Sequence, residues 1–290
     1  MPESPAHEPL LHWYAVHARD LPWRRPETPA WGVLVSEVML QQTPVARVLP
    51  VYGEWLRRWP TPSALAEERP GEAVRLWGRL GYPRRALRLH QAATVIDDRH
   101  GGEVPRSYGE LRALPGIGDY TAAAVSAFAF RQREVVLDTN IRRVVGRLAG
   151  GTALPPAAVT RQERTIATDL LPDEPGRAAT WNVALMELGA LVCTAREPRC
   201  GSCPVAGLCA WRAAGCPDPD RVPRRPQTYA GTDRQCRGRI LAVLRDALGP
   251  VSLDDVRAAW DAPTQRERAL ASLLDDGLVV RVGEGSLGLP

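Results

Sequence analysis

Lysine is absent from this chain: all 37 of its Lys-plus-Arg positions are arginine. That excludes a lysine Schiff base, a phosphate-loop lysine and every other ammonium side-chain nucleophile. Phenylalanine is scarce too, with 2 residues against 9 tryptophans. No apolar run approaches the roughly 18 residues of a membrane span. The opening stretch, MPESPAHEPLLHWYAVHARD, lacks the charged start and long apolar segment of a signal peptide. A reducing, cytoplasmic setting is therefore expected, and the six cysteines read first as ligands or free thiols. A formal net charge of +4 permits a polyanionic partner without requiring one. With 44% apolar residues the chain can bury a substantial core.

What is present reads as helix after helix, broken by proline and glycine. Apolar residues recur at helical spacing at Trp31, Leu34, Val35, Val38 and Met39, then at Val48, Tyr52, Trp55, Leu56 and Trp59. Further helices are expected over 71–80, 84–100, 107–113, 120–130, 139–149, 157–170 and 175–192. Only residues 134–137 look locally strand-like, so an all-α architecture is expected to about residue 215. Residues 216–231 are rich in Pro and Arg and read as a linker. Three short helices and a β-hairpin follow in 232–290, the order of a small winged-helix-like module.

Four constellations carry chemistry. Cys193, Cys200, Cys203 and Cys209 place four thiols within 17 residues. They suit an iron–sulfur cluster or zinc, and cysteine count alone does not separate the two. Leu114-Pro-Gly-Ile-Gly-Asp-Tyr-Thr121 joins a short helix to a longer one, and Gly116 and Gly118 would leave backbone amides at a helix N-terminus facing a phosphate. Asp138, at the end of Val135-Val-Leu-Asp, either caps the next helix or faces a sugar ring and stabilises oxocarbenium charge. Glu37, in Ser36-Glu-Val-Met-Leu-Gln-Gln-Thr43, sits among apolar neighbours. Burial there would raise its pKa and suit it to proton donation. Gln41 and Gln42 follow and can hydrogen-bond base edges.

Together these segments resemble the helix-hairpin-helix DNA glycosylases with an iron–sulfur loop, and within them the MutY-type adenine DNA glycosylases. The resemblance runs from about Leu21 to Trp211. It is carried by LPW (21–23), SEVMLQQT (36–43), LWGRLGY (76–82), LPGIGDYTA (114–122), LDTNIRRV (137–144) and the cysteines. It implies a catalytic domain over 1–215 with a 4Fe-4S cluster held by Cys193, Cys200, Cys203 and Cys209 in the loop 193–209. It further implies that Glu37 protonates adenine, Asp138 stabilises the sugar cation, Tyr120 stands near that sugar and Asn140 orients the site. Gln42 and Tyr82 correspond to residues that wedge into the duplex beside the opposite base. Gly116, Gly118, Thr121, Gln41 and Arg199 complete the expected DNA surface. The implied partner is double-stranded DNA with adenine opposite 8-oxoguanine or guanine, bound by a monomer.

Position 120, where the related endonuclease III branch carries a lysine nucleophile, is tyrosine here. A monofunctional hydrolase is therefore expected. Two features depart from the family. Pro83-Arg84-Arg85 follows Tyr82 where a second tyrosine and small residues are usual, and the residues after Thr228 are too few for the family's MutT-like domain. A thymine glycosylase acting on G:T mispairs and a non-catalytic iron–sulfur DNA-binding protein are the alternatives.

Overall fold

The computed structural model describes residues 4–217 and 229–290, so most of the expected linker 216–231 lies outside the described residues. In chain order the helices are α1 (His7–His17), α2 (Ala30–Leu40), α3 (Val45–Arg58), α4 (Pro62–Ala66), α5 (Pro70–Trp77), α6 (Arg84–His100), α7 (Tyr108–Ala113) and α8 (Asp119–Phe130). Then come α9 (Thr139–Leu148), α10 (Arg161–Asp169), α11 (Pro175–Leu191) and α12 (Ala210–Ala213), followed by α13 (Asp233–Asp246), α14 (Leu253–Ala258) and α15 (Pro263–Asp275). Three short strands, β1 (Val251–Ser252), β2 (Val280–Arg281) and β3 (Ser286–Gly288), lie near the C-terminus. The predominantly helical architecture expected from the apolar spacing is the one observed. Among the described residues no helix is long and apolar enough to cross a membrane.

These elements fall into two compact units. The first holds the chain up to Val33, residues 106–113 and the stretch from Ile117 through the cysteine loop. Its core is built by α1, α8, α9 and α11. In α9 the apolar residues Ile141, Val144, Val145 and Leu148 recur at three- and four-residue spacing and turn one stripe inward against Trp181, Leu185 and Leu188. Glu187 of α11 is fully buried and binds Arg19 and Arg24, which stand on either side of LPW (21–23). Arg19 donates to it through Nε at 2.8 Å and Nη2 at 2.7 Å, and Arg24 through Nη2 at 2.9 Å. Burial pushes this carboxyl up, but the hydrogen bonds from Arg19 and Arg24 outweigh it and hold it at about 2. The stabilisation is present above the ordinary carboxylate range and is lost as pH falls toward that value.

The second unit contains residues 34–105 and 114–116 together with the described residues from 229 onward. Trp55 meets Trp59 and Trp77 edge-to-face, at 4.7 Å and 5.7 Å between ring centres. The C-terminal residues follow the helix–strand–helix–helix–strand–strand order of a winged helix, with sheet order β1-β3-β2 and all pairs antiparallel. They pack directly on α5 and the turn after it. The Gly71 amide donates to the Pro290 carbonyl at 2.6 Å, Arg75 to the Ala247 carbonyl at 2.8 Å, and Arg84 pairs with Asp276 at 2.9 Å.

Local chemistry explains where the observed boundaries depart from the expected ones. α10 starts at Arg161, later than the spacing suggests, because Thr160 and Glu163 form a reciprocal capping box. α5 stops at Trp77 because Gly78 takes φ +54°. Residues 134–137 carry no regular secondary structure and join no strand. Helix α1 and strand β1 were not anticipated.

Candidate active site and cysteine loop

The turn from Leu114 to Gly118 links α7 to α8. Gly116 has φ +77°, and a Cβ there would lie 2.6 Å from Cβ of Arg88, so backbone conformation and space both require glycine. Gly118 is different. Its φ of −93° is open to any residue and nothing crowds it; as N-cap of α8 it supplies no side-chain cap. The amides of the first turn thus receive no side-chain cap from this position. Thr121, in the first turn of α8, is buried, with 1% of the residue exposed. Tyr120 packs half-buried against the core of the first unit. Gly116→Ala is expected to cost on the order of 1–3 kcal/mol through strain and overlap. Thermal melting checks this, and an unchanged midpoint would show that the turn tolerates a side chain.

Asp138 is the N-cap of α9. Its Oδ1 accepts from the Ile141 amide at 2.6 Å and its Oδ2 from Asn140 Nδ2 at 3.0 Å. Burial raises its pKa, against these hydrogen bonds and the Arg143 charge, which lower it. Capping and sugar-facing roles are therefore compatible, since one oxygen anchors the helix and the other is oriented by Asn140. Asn140 in turn accepts from Arg143 Nη2 at 2.9 Å. Arg143 also donates through Nε to the Cys193 carbonyl at 2.7 Å and through Nη2 to the Gly189 carbonyl at 2.6 Å. Gly189 permits that close crossing of α9 and α11, because a Cβ there would sit 2.7 Å from Cβ of Asn140. An unbroken chain of contacts thus runs from the carboxylate to the backbone of the first cysteine.

The four cysteines line one cavity, together with Arg147 and Trp211. Four thiols around one cavity are a donor set that fits an iron–sulfur cluster. Burial first, and then the neighbouring thiols, pushes Cys203 up to about 11 despite one backbone hydrogen bond. A cationic core is what would let the four ligands stand together as thiolates. Arg147 seals the cavity. It lies 4.6 Å over the Trp211 ring, with Nη1 3.4 Å from Cys193 Sγ and 2.8 Å from the Thr194 carbonyl. Arg199 is exposed and donates to the Leu191 carbonyl within the loop.

The remaining residues belong to the second unit. Glu37 is 5% exposed on α2, among Leu34, Val38 and Met39. Gln41 is half-buried and Gln42 exposed on the turn after that helix, where Gln42 takes φ +57°. Tyr82 is 56% exposed with φ +48°. Sequence reasoning missed three buried arginines, Arg85, Arg143 and Arg147. Arg143 and Arg147 stand four residues apart on α9, and that spacing was the available signal.

A family model of the HhH-GPD superfamily of base excision DNA repair proteins matches residues 35–167. A model of the iron–sulfur binding domain of endonuclease III matches residues 193–209, from the first to the last of the four cysteines. The fold and site thus define a helix-hairpin-helix base excision repair protein with a 4Fe-4S loop. The adenine DNA glycosylase of Mycobacterium tuberculosis is 54% identical over 282 residues, 97% of this chain and 92% of that protein. On that likeness, which extends through the C-terminal residues, the chain belongs to the adenine DNA glycosylase family. A thymine-DNA glycosylase of Aeropyrum pernix is 37% identical over 203 residues, covering 69% of this chain and 91% of that one. The solved structure of a thermostable thymine-DNA glycosylase superposes with TM-score 0.63 at 26% identity, over 71% of this chain and 94% of that one.

Proposed function

We propose that this protein hydrolyses the N-glycosidic bond of adenine mispaired with 8-oxoguanine or guanine, acting in the cytoplasm as a monomer on double-stranded DNA. The observation that carries the reading is Asp138, a half-buried carboxylate fixed by two hydrogen bonds at the start of α9. In this reading Glu37 donates a proton to the adenine ring, the base leaves with its bonding electron pair, and Asp138 stabilises the sugar cation. Tyr120 flanks the sugar, and water completes the reaction at the anomeric carbon. Backbone amides near Gly116, Gly118 and Thr121, with Gln41 and Arg199, hold the strand. Gln42 and Tyr82 wedge beside the opposite base. Flipping adenine costs a few kcal/mol, less in a mispair than in a matched pair.

The cluster, when bound, holds the four thiolates together and so fixes the loop; four cysteine ligands leave no open metal position for a substrate. The chain's own residues do the rest, and none is a lysine. The enzyme is thus read as monofunctional, leaving an abasic site. The test is single-turnover base release from duplexes carrying A:8-oxoguanine, A:G, G:T and A:T, with borohydride added in parallel. Adenine release from the first two, without a side-chain adduct, is expected. Thymine release from G:T would transfer the assignment to the activity named for the Aeropyrum relative. A trapped adduct on a side chain would end the monofunctional reading.

A further inference from the structure

Arg85 lies in the first turn of α6 and is 8% exposed, at the helix end where a buried cation is least favoured. Burial pulls its guanidinium down to about 10, which still leaves it charged at neutral pH. The side chain reaches away from its own helix to two separate turns. Nη1 donates to the carbonyls of Val38 at 2.8 Å, Met39 at 3.1 Å and Gln41 at 2.6 Å, capping the carbonyl end of α2. Nη2 donates to Thr43 Oγ1 at 2.9 Å and to the Gly81 carbonyl at 3.1 Å. The Thr43 hydroxyl passes the link on to the Leu80 carbonyl at 3.2 Å, and Trp77 Nε1 supplies a second donor to Gly81 at 2.9 Å. The guanidinium stands 5.2 Å over the Trp77 ring and 5.4 Å over the Tyr82 ring.

The two turns so joined carry Gln42 and Tyr82, both exposed and both in the left-handed region that non-glycine residues avoid. Such conformations persist where surrounding contacts over-determine them. We propose that Arg85 is a positioning residue that fastens the Gln41–Thr43 and Gly81–Tyr82 turns into one rigid insert, so that Gln42 and Tyr82 enter the duplex together. The proposal rests on reading Gln42 and Tyr82 as the wedge. A planar five-donor fork can serve both turns at once, whereas the ammonium of a lysine, a compact point charge, reaches one or the other.

The experiment is stopped-flow fluorescence on a duplex containing an adenine mispair, with 2-aminopurine stacked beside the base opposite the adenine. Insertion of a wedge unstacks that probe and brightens it. The wild-type protein is compared with Arg85→Lys, which keeps the charge, and Thr43→Val, which keeps the shape and removes one link. Both variants are expected to bind the duplex yet lose about threefold or more of the brightening, with single-turnover release falling in proportion. Brightening equal to wild type in both would overturn the proposal. So would loss of affinity and release with brightening per bound complex unchanged, which marks a merely structural role. If the lysine variant does not fold, Thr43→Val alone decides between these outcomes. No brightening with the wild-type protein, despite adenine release, would defeat the wedge reading itself and the proposal with it. No release by wild type from any mispair would defeat the proposed function.

Discussion

Asp138→Asn will lose about 10²–10³-fold in single-turnover adenine release, while its melting temperature at neutral pH stays within a few degrees of wild type or rises. The activity loss follows from charge. A cation developing on the sugar gains from a fixed carboxylate in a site shielded from water, and an amide of the same shape gives little of that gain. The stability forecast follows from the local bonds. Asparagine is as good an N-cap as aspartate and can still accept from the Ile141 amide at the 2.6 Å contact. Its own amide would face that of Asn140, so about 1 kcal/mol is at risk there. Against this, burial raises the Asp138 pKa in the folded state. For a carboxyl raised on folding, the stability linked to the proton is present at low pH and is lost as pH rises through the folded value. The ionised wild type therefore carries a cost at neutral pH that the asparagine variant lacks. The same direction predicts that wild-type activity falls on the acid side at a pH above the ordinary aspartate value of 3.8. A variant that keeps more than about a tenth of the activity would remove Asp138 from the chemistry. One that melts far lower would make its loss of activity a folding effect.

The residues that bear the proposed chemistry were legible in the sequence because each sits in a short, punctuated segment. Asp138 ends an apolar run just before a helix, Gly116 marks a left-handed turn, and the cysteines are clustered too tightly for chance burial. The helical architecture was legible for a similar reason, in that Ile141, Val144, Val145 and Leu148 declare a stripe. The buried arginines were not. In a chain whose 37 Lys-plus-Arg positions are all arginine, a solvated guanidinium and a buried one look alike. Arg85 reads as one more surface charge beside Arg84, yet Arg84 pairs with Asp276 in a half-exposed bridge while Arg85 is buried against backbone carbonyls. Backbone acceptors are what sequence patterns omit, because every residue has one and only the fold decides which converge. The packing of the C-terminal residues onto α5 was hidden for the same reason: it runs through the carbonyls of Pro290 and Ala247.

Arg143 makes the strongest case for that argument, and its replacement carries the second large effect. Three acceptors, the carbonyls of Cys193 and Gly189 and the Asn140 side chain, converge on a guanidinium that is 5% exposed. Burial pulls its pKa down, and the Cys193 thiol beside it pulls the other way. Arg143→Leu strands all three acceptors, at about 1–3 kcal/mol for each one left buried and unpaired. It should therefore melt well below wild type and lose the iron–sulfur absorbance near about 400 nm. The informative variant is Arg143→Lys. An ammonium keeps the charge beside the loop but cannot hold a fork of three acceptors, so the cluster absorbance should survive while Asn140 loses its orienting partner. Asn140 is what sets the Asp138 Oδ2, and adenine release should drop about tenfold or more with binding little changed. Asn140→Ala should reproduce that drop with the absorbance intact. If activity and absorbance fall in step across the lysine variant and Asn140→Ala, Arg143 serves only to hold the loop. If neither falls, the contacts between Asp138 and the cysteine loop are packing and carry no catalytic consequence.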